Sequence, residues 1–257
     1  MKYRQAVAPG SILTWLVIKR LIRQHSIKGT FLDVGCGEGY LTGQLLSIGL
    51  SGVAIEPSQR AYQRAVQRLM DLERERILLV NGTLESIPQA SNFDLGCAFM
   101  VIEHQTQDVE FLREIRTRVR PNGYLLVAVP AGLDRWTYED EIVGHVRRYS
   151  SDTLAEVLRR AGITESIEVV GVGFPFLNLT ELIRNWIMQR RYRVNQSLGL
   201  EERTADSGIR DKVGVNVFPG VFSLMFNRLS LKPLDWISQI LRQTDKATVL
   251  VAIGKVT

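Results

Sequence analysis

The sequence predicts an α/β fold built on a doubly wound, mostly parallel sheet. From Thr30 onward, short apolar runs alternate with helix-like stretches. The runs are apolar at successive positions, the pattern of strands covered on both faces, and the spacers are long enough for the crossovers that parallel strands require. Composition agrees: 257 residues, 45% hydrophobic and 23% charged, supply a sizeable core and exclude a disordered chain. With 21 Gly, 8 Pro and 2 Cys, a collagen, a low-complexity array and a disulfide scaffold are excluded as well.

The elements follow in order. Over 11–25, Ile12, Leu13, Leu16, Val17, Ile18, Leu21 and Ile22 recur at helical spacing, with Ser11 as the expected N-cap after Pro9-Gly10. Strands are expected at 31–35, 52–56, 77–82, 93–101, 123–129, 167–173 and 248–256, and helices at 40–48, 58–72, 106–119 and 151–161. Pro57 suits the first turn of its helix, and Pro121-Asn122-Gly123 supplies a turn. Ser150 or Ser151 opens a helix that Gly162 closes. Between the last two strands, 174–192 reads as a helix, 193–216 as a polar loop, and 217–243 as one or two helices broken at Pro233. The expected organisation is a helical segment 1–29, a core of 30–173 plus 248–257, and a helical insertion 174–247.

Charge is distributed unevenly. Lys and Arg number 32 against 27 Asp and Glu, a net +5. Eleven of the basic and seven of the acidic residues fall within 174–247, beside Phe174, Phe176, Trp186, Phe218, Phe222, Phe226 and Trp236. The surplus therefore bears on what the insertion meets. Cys36 and Cys97 lie in apolar runs and read as reduced thiols of a reducing compartment. The polar start is unlike a secretory signal, and no run reaches the roughly 18 apolar residues of a membrane span. The expected location is cytoplasmic, with 174–247 as the part able to touch a membrane surface.

The chemistry concentrates in Asp33-Val34-Gly35-Cys36-Gly37-Glu38-Gly39-Tyr40, a buried strand running through a Gly-rich turn into a helix. Alternate glycines let a ligand lie against the backbone at the carboxyl edge of the sheet. The dinucleotide fingerprint fails because Tyr40 occupies its sixth position, and a P-loop fails because no Gly-Lys-Ser/Thr follows. Glu56 ends the second strand, where a carboxylate can accept hydrogen bonds from two ribose hydroxyls. Asp33 ends the first strand, where its charge can meet a cationic group. Two carboxylates without a basic residue suit a nucleoside that carries positive charge and no phosphate.

These residues resemble the class I S-adenosylmethionine-dependent methyltransferases, over about 30–170 plus the last strand. The resemblance implies a Rossmann-like, seven-stranded sheet, mostly parallel with an antiparallel last strand. It implies S-adenosyl-L-methionine as cofactor and S-adenosyl-L-homocysteine as product. Asp33, Gly35, Cys36, Gly37 and Gly39 would hold the methionine part, with Glu56 and Pro57 at the ribose. The segment 82–88 resembles the one that lies along the adenine, which implicates Thr83 and Leu84, although Thr83 stands where family members commonly have Asp. Phe99 to His104, FMVIEH, resembles the motif at the end of strand four. It would place Phe99, Met100 and Val101 at the cofactor, and Glu103 and His104 at the pocket mouth or a helix start. For Glu103, a capping role and a catalytic role both stand.

Gly144 to Ser150, GHVRRYS, resembles one branch of small-molecule methyltransferases. His145, Arg147, Arg148 and Tyr149 gather an imidazole, two fixed cations and a phenol that could orient an acceptor. The alternative is that the arginines pair with Asp140 and Glu141 while Tyr149 packs. Transfer of a sulfonium methyl is an in-line displacement, so positioning dominates. No metal is expected. For a hydroxyl acceptor, His145 is the first candidate base and His104 the second; His25 reads as structural. The run AFMVIEH lacks the Asn/Asp-Pro-Pro-aromatic sequence associated with methylation of base and amide nitrogens. The leading expectation is oxygen methylation of a small-molecule, sugar-linked or lipid-linked acceptor, with no nucleic-acid partner. The alternatives are a methyltransferase of protein or nucleic acid and a non-catalytic cofactor-binding scaffold. The insertion is expected to cap the acceptor, form a homodimer or contact a membrane.

Overall fold

The computed structural model describes residues 7–73, 75–191, 233, 236 and 246–257. Strands β1 (Thr30–Val34), β2 (Ser51–Glu56), β3 (Ile77–Asn81), β4 (Phe93–Phe99), β5 (Val119–Pro130), β6 (Glu165–Val172) and β7 (Val249–Lys255) form one sheet in the order β3-β2-β1-β4-β5-β7-β6. Neighbours from β3 to β5 pair in parallel, whereas β7 runs antiparallel to both β5 and β6. The expected seven-stranded sheet with an antiparallel last strand is what forms. Strand order reverses between β1 and β4, and at such a switch point the loops leaving two adjacent strands diverge and open a crevice at their carboxyl ends.

Successive residues point to opposite faces, so each central strand serves two cores. Phe31 and Cys97 join the cluster beneath α1 (Pro9–Gln24), α2 (Tyr40–Ser47) and α3 (Gln59–Glu73). Leu32 and Ala98 join the one beneath α4 (Asp108–Arg116) and α6 (Ser151–Arg160). This is the physical basis for runs that are apolar throughout. The segment 1–29 contributes directly, because Leu13, Trp15, Ile18 and Leu21 of α1 are buried in the first cluster. Two further helices are α5 (Tyr138–Val143) and α7 (Phe176–Arg191).

Several local expectations are corrected. Ser11 lies inside α1; the N-cap is Ala8, and Pro9 takes the first turn, where its missing N–H costs nothing. The helix expected over 106–119 is confined to Asp108–Arg116, since the chain turns at Thr117 and has entered β5 by Val119. Helix α5 has no counterpart among the helices expected from the sequence. Its signals are Asp140, which accepts from the Thr137 N–H at 2.7 Å, and Gly144, which closes the helix at φ 76°. Ser150 is the N-cap of α6, and its hydroxyl accepts from the Thr153 N–H. The loop expected at 193–216 and the helices at 217–243 lie outside the described residues, apart from Pro233 and Trp236.

Trp15 is 1% exposed, so Trp15→Ala should cost roughly 3–5 kcal/mol in a denaturant titration, by lost burial and an unfilled cavity. A cost under about 1 kcal/mol would show that α1 does not belong to the core.

Candidate functional site

Between β1 and α2 the chain passes through Gly35, Gly37 and Gly39 at φ 74°, 55° and 74°. These are left-handed values that a side chain opposes. At Gly35 there is a second reason for glycine, because a Cβ there would stand 2.6 Å from Val101 Cγ2. The β1 turn and the residues leaving β4 are therefore packed backbone against side chain. Met100, the next residue after β4, also has positive φ, 58°, while its N–H donates to the Ala128 carbonyl at 2.8 Å. A non-glycine residue held there at the carboxyl edge of a sheet is a strained position of the kind found at ligand sites.

Three acids line this edge. Asp33 is 1% exposed; its Oδ2 accepts from the Thr42 hydroxyl at 2.6 Å, and its Oδ1 has no partner among the described residues. Burial pushes its carboxyl up to about 7, with the Thr42 hydrogen bond opposing and the Glu56 charge adding. Glu56 accepts from the Gly37 N–H and the Ser58 N–H, each at 2.8 Å, and so ties the glycine turn to the end of β2. Burial raises its pKa while those two donors hold it back. Glu38 anchors the turn from the other side through a 2.6 Å ion pair with Arg64 of α3. Cys36 and Cys97 are free thiols pushed up by burial and then by the Asp33 charge, which leaves them poor nucleophiles.

A second constellation begins just beyond β4, in the short 3-10 turn Ile102–His104. The Val146 N–H donates to the Glu103 carbonyl at 2.9 Å, which lays the segment after α5 along this turn. His145 Nδ1 lies 2.6 Å from Asp140 Oδ1, and its Nε2 lies 3.8 Å from Glu103 Oε1. His104 and His145 meet edge to face, with ring centroids 4.7 Å apart, and His104 Nδ1 lies 3.2 Å from the Gly144 carbonyl. Burial, then the neighbouring His145, pushes His104 down to about 4. Glu103 is fully buried, with neither carboxylate oxygen hydrogen-bonded among the described residues, and burial pushes it up to about 7 against the pull of His145. Burial would raise Asp140 too, but hydrogen bonds from His145 and Arg148, reinforced by the Arg148 charge, hold it well below the usual range.

The candidates thus separate. Asp33, the glycines, Glu56, Phe99, Met100, Glu103, His104 and His145 gather at the carboxyl edge of β1, β2 and β4. Arg148 does not present its charge for an acceptor: it is 7% exposed and bound to Asp140 at 2.8 Å, to Glu181 of α7 at 3.2 Å and to the Ala131 carbonyl at 3.0 Å. Tyr149 is buried, its hydroxyl donating to Asp108 at 2.8 Å. Arg147 pairs with that same Asp108 at 2.8 Å, which is neither of the two acids, Asp140 and Glu141, suggested for the arginine pair. The pairing of Arg148 with Asp140 is the one the sequence did suggest. Leu84 is buried, Pro57 and Thr83 are exposed, and the Thr83 hydroxyl is hydrogen-bonded to Glu85. The residues that sequence reading missed as site components are Glu38, Thr42 and Glu181.

Comparison with known families matches residues 16–164 to the family described as "Methyltransferase domain". The chain belongs to that family. Among curated relatives, a tRNA U34 carboxymethyltransferase of Idiomarina loihiensis is 33% identical over 100 residues, covering 37% of this chain and 31% of that protein. A mitochondrial ubiquinone biosynthesis O-methyltransferase of Schizosaccharomyces pombe is 30% identical, covering 38% and 36%. The chain thus spans about a third of the length of these relatives. A methyltransferase structure from Bacillus halodurans shares the fold, with a TM-score of 0.57 and 14% identity over 93% of this chain and 99% of that one.

The residues present fit S-adenosylmethionine as the methyl donor. The orphaned Asp33 Oδ1 offers a buried carboxyl acceptor to a cationic ligand, and Gly35, Gly37 and Gly39 add no side chain to the turn beside it.

Without ligand, Asp33 sets a pH dependence. Its raised folded-state value means that folding takes up a proton between 3.8 and about 7, so stability falls as pH rises across that window. Between about pH 5 and about pH 8 the loss should be on the order of 3 kcal/mol for the ligand-free protein. Asp33→Asn should flatten this slope in denaturant titrations at several pH values; an unchanged slope would show that Asp33 does not cause it.

Proposed function

We propose that this methyltransferase domain methylates an oxygen of a small-molecule or lipid- or sugar-linked acceptor. The observation that carries the reading is the joining of two constellations at one sheet edge. The orphaned Asp33 and the glycine turn lie at the end of β1. The Glu103–His104–His145 group follows β4, whose tail packs on Gly35 through Val101. The O-methyltransferase among the relatives supports oxygen as the target.

Bound S-adenosylmethionine supplies an electrophilic methyl group on a sulfonium. Asp33 would face its cationic amino-acid end, and the glycine turn would offer backbone N–H groups and space. Glu56 already accepts two backbone hydrogen bonds, but each carboxylate oxygen has a second lone pair, so it can take ribose hydroxyls without releasing the turn. Leu84 would bound the adenine. On the acceptor side, Asp140 fixes the His145 ring and leaves Nε2 to take a proton from an acceptor hydroxyl. Arg148, Arg147 and Tyr149 act behind this group: Arg148 keeps Asp140 ionised, and the other two lock the segment through Asp108. The insertion 174–247 would cap the acceptor pocket. The tRNA-modifying relative and the basic insertion favour a second reading, in which the acceptor is a nucleic acid.

Calorimetry tests the donor site. Glu56→Gln and Asp33→Asn should each weaken S-adenosylmethionine binding by about 1–3 kcal/mol, the scale of hydrogen bonds to a charged group; unchanged affinity in both would remove these residues from the site. Transfer of labelled methyl into a fractionated cell extract tests the acceptor. Label is expected in small metabolites or lipids; label in RNA would replace this reading with the second one, and label in protein would overturn both.

A further inference from the structure

The Glu103, His104 and His145 side chains hold more chemistry than proton transfer needs. One ligand atom from each lies within 4.8 Å of the other two. The Glu103 carboxylate is 0% exposed, and neither oxygen has a hydrogen-bond partner among the described residues. An unpartnered carboxylate in such a place is costly unless something cationic joins it. The second observation lies behind the imidazoles. His145 Nδ1 is bound to the Asp140 carboxylate at 2.6 Å, and His104 Nδ1 faces the Gly144 carbonyl at 3.2 Å. Carboxylates and backbone carbonyls are the partners that fix ring and tautomer in metal-binding histidines, so that the other nitrogen addresses the ion.

We propose that Glu103, His104 and His145 bind a divalent first-row transition cation, whose remaining positions take water or oxygen atoms of the acceptor. Two imidazoles and one carboxylate suit zinc, iron(II), cobalt(II) or manganese(II), and three protein ligands leave coordination positions open. Ligands about 2.1 Å from a tetrahedral ion stand roughly 3.4 Å apart. The 3.8 Å between Glu103 Oε1 and His145 Nε2 therefore needs only a small contraction. Both imidazoles are partly exposed, which gives the ion and an acceptor a way in. With an ion present, His145 is a ligand through the nitrogen that otherwise serves as a base. An acceptor hydroxyl on the ion then gives up its proton to solvent water more readily, as metal-bound water does. The cation site stands whatever the acceptor is; the placing of acceptor oxygen on it rests on the function proposed above.

The test is a titration of the metal-free chain with Co2+, followed by visible ligand-field absorption. One equivalent of saturable bands is expected, displaced by Zn2+. The near-isosteric Glu103→Gln variant should weaken Co2+ binding by at least about 100-fold, more than loss of a supporting partner usually costs. Circular dichroism and S-adenosylmethionine calorimetry on the same samples establish that the variant is folded with its donor site intact. Absence of the bands in the wild type, or unchanged bands in a folded Glu103→Gln, would overturn the proposal. Intact donor binding in the same experiment would leave the methyltransferase reading standing, so the two can fail separately.

Discussion

Burial of carboxylates at the carboxyl edge of β1, β2 and β4 is the constraint around which the rest of the site is arranged. An ionised carboxylate in an apolar surrounding must find donors, find a cation or take up a proton. The chain uses a different solution at each position. Glu56 is satisfied by two backbone N–H groups and Asp140 by His145 and Arg148, while Glu38 pairs with Arg64 through one oxygen and has no hydrogen bond to the other among the described residues. Asp33 and Glu103 each keep at least one oxygen without a partner among the described residues, and both are pushed towards neutrality. Two acids left in this state store a cost that a cationic ligand can relieve. The site is thereby less stable empty than filled, the usual relation between strain and function.

The sheet explains why these acids can meet. Asp33 pairs in register with Ala54 of β2 and Cys97 of β4, so the ends of three strands arrive at one level. A parallel arrangement puts every carboxyl end on the same edge, and the order reversal between β1 and β4 opens space there. The antiparallel β7 lies on the far side of β5 and extends the sheet without covering that edge.

The parts legible in the sequence were those whose cause is local. The Asp33–Tyr40 stretch announces strand, turn and helix in one short run, because alternate glycines have few other uses after a buried strand. The strands were legible because burial on both faces leaves an unbroken apolar run. Helix boundaries were less so, since Ala8, Pro9 and Ser11 compete within one turn. Within GHVRRYS the residue types were visible but their directions were not. Arg147 and Tyr149 both turn to Asp108, far away in sequence, and Arg148 turns inward to Asp140 and Glu181. The aim of a side chain depends on contacts that a motif does not contain.

Arg148 also ties α7 to the segment that carries His145. A guanidinium that is 7% exposed needs compensation, and here it comes from Asp140 and from Glu181, which belongs to the first helix of 174–247. Asp140 in turn holds His145 at 2.6 Å. The Tyr138 N–H donates to Asn185 Oδ1 at 3.0 Å, so α5 and α7 are joined a second time. Anything that moves α7 therefore changes the charge balance around Asp140 and, through it, the orientation of His145. Helix α7 is thus coupled to His145, because its Glu181 helps to hold Arg148 against the Asp140 that fixes the ring.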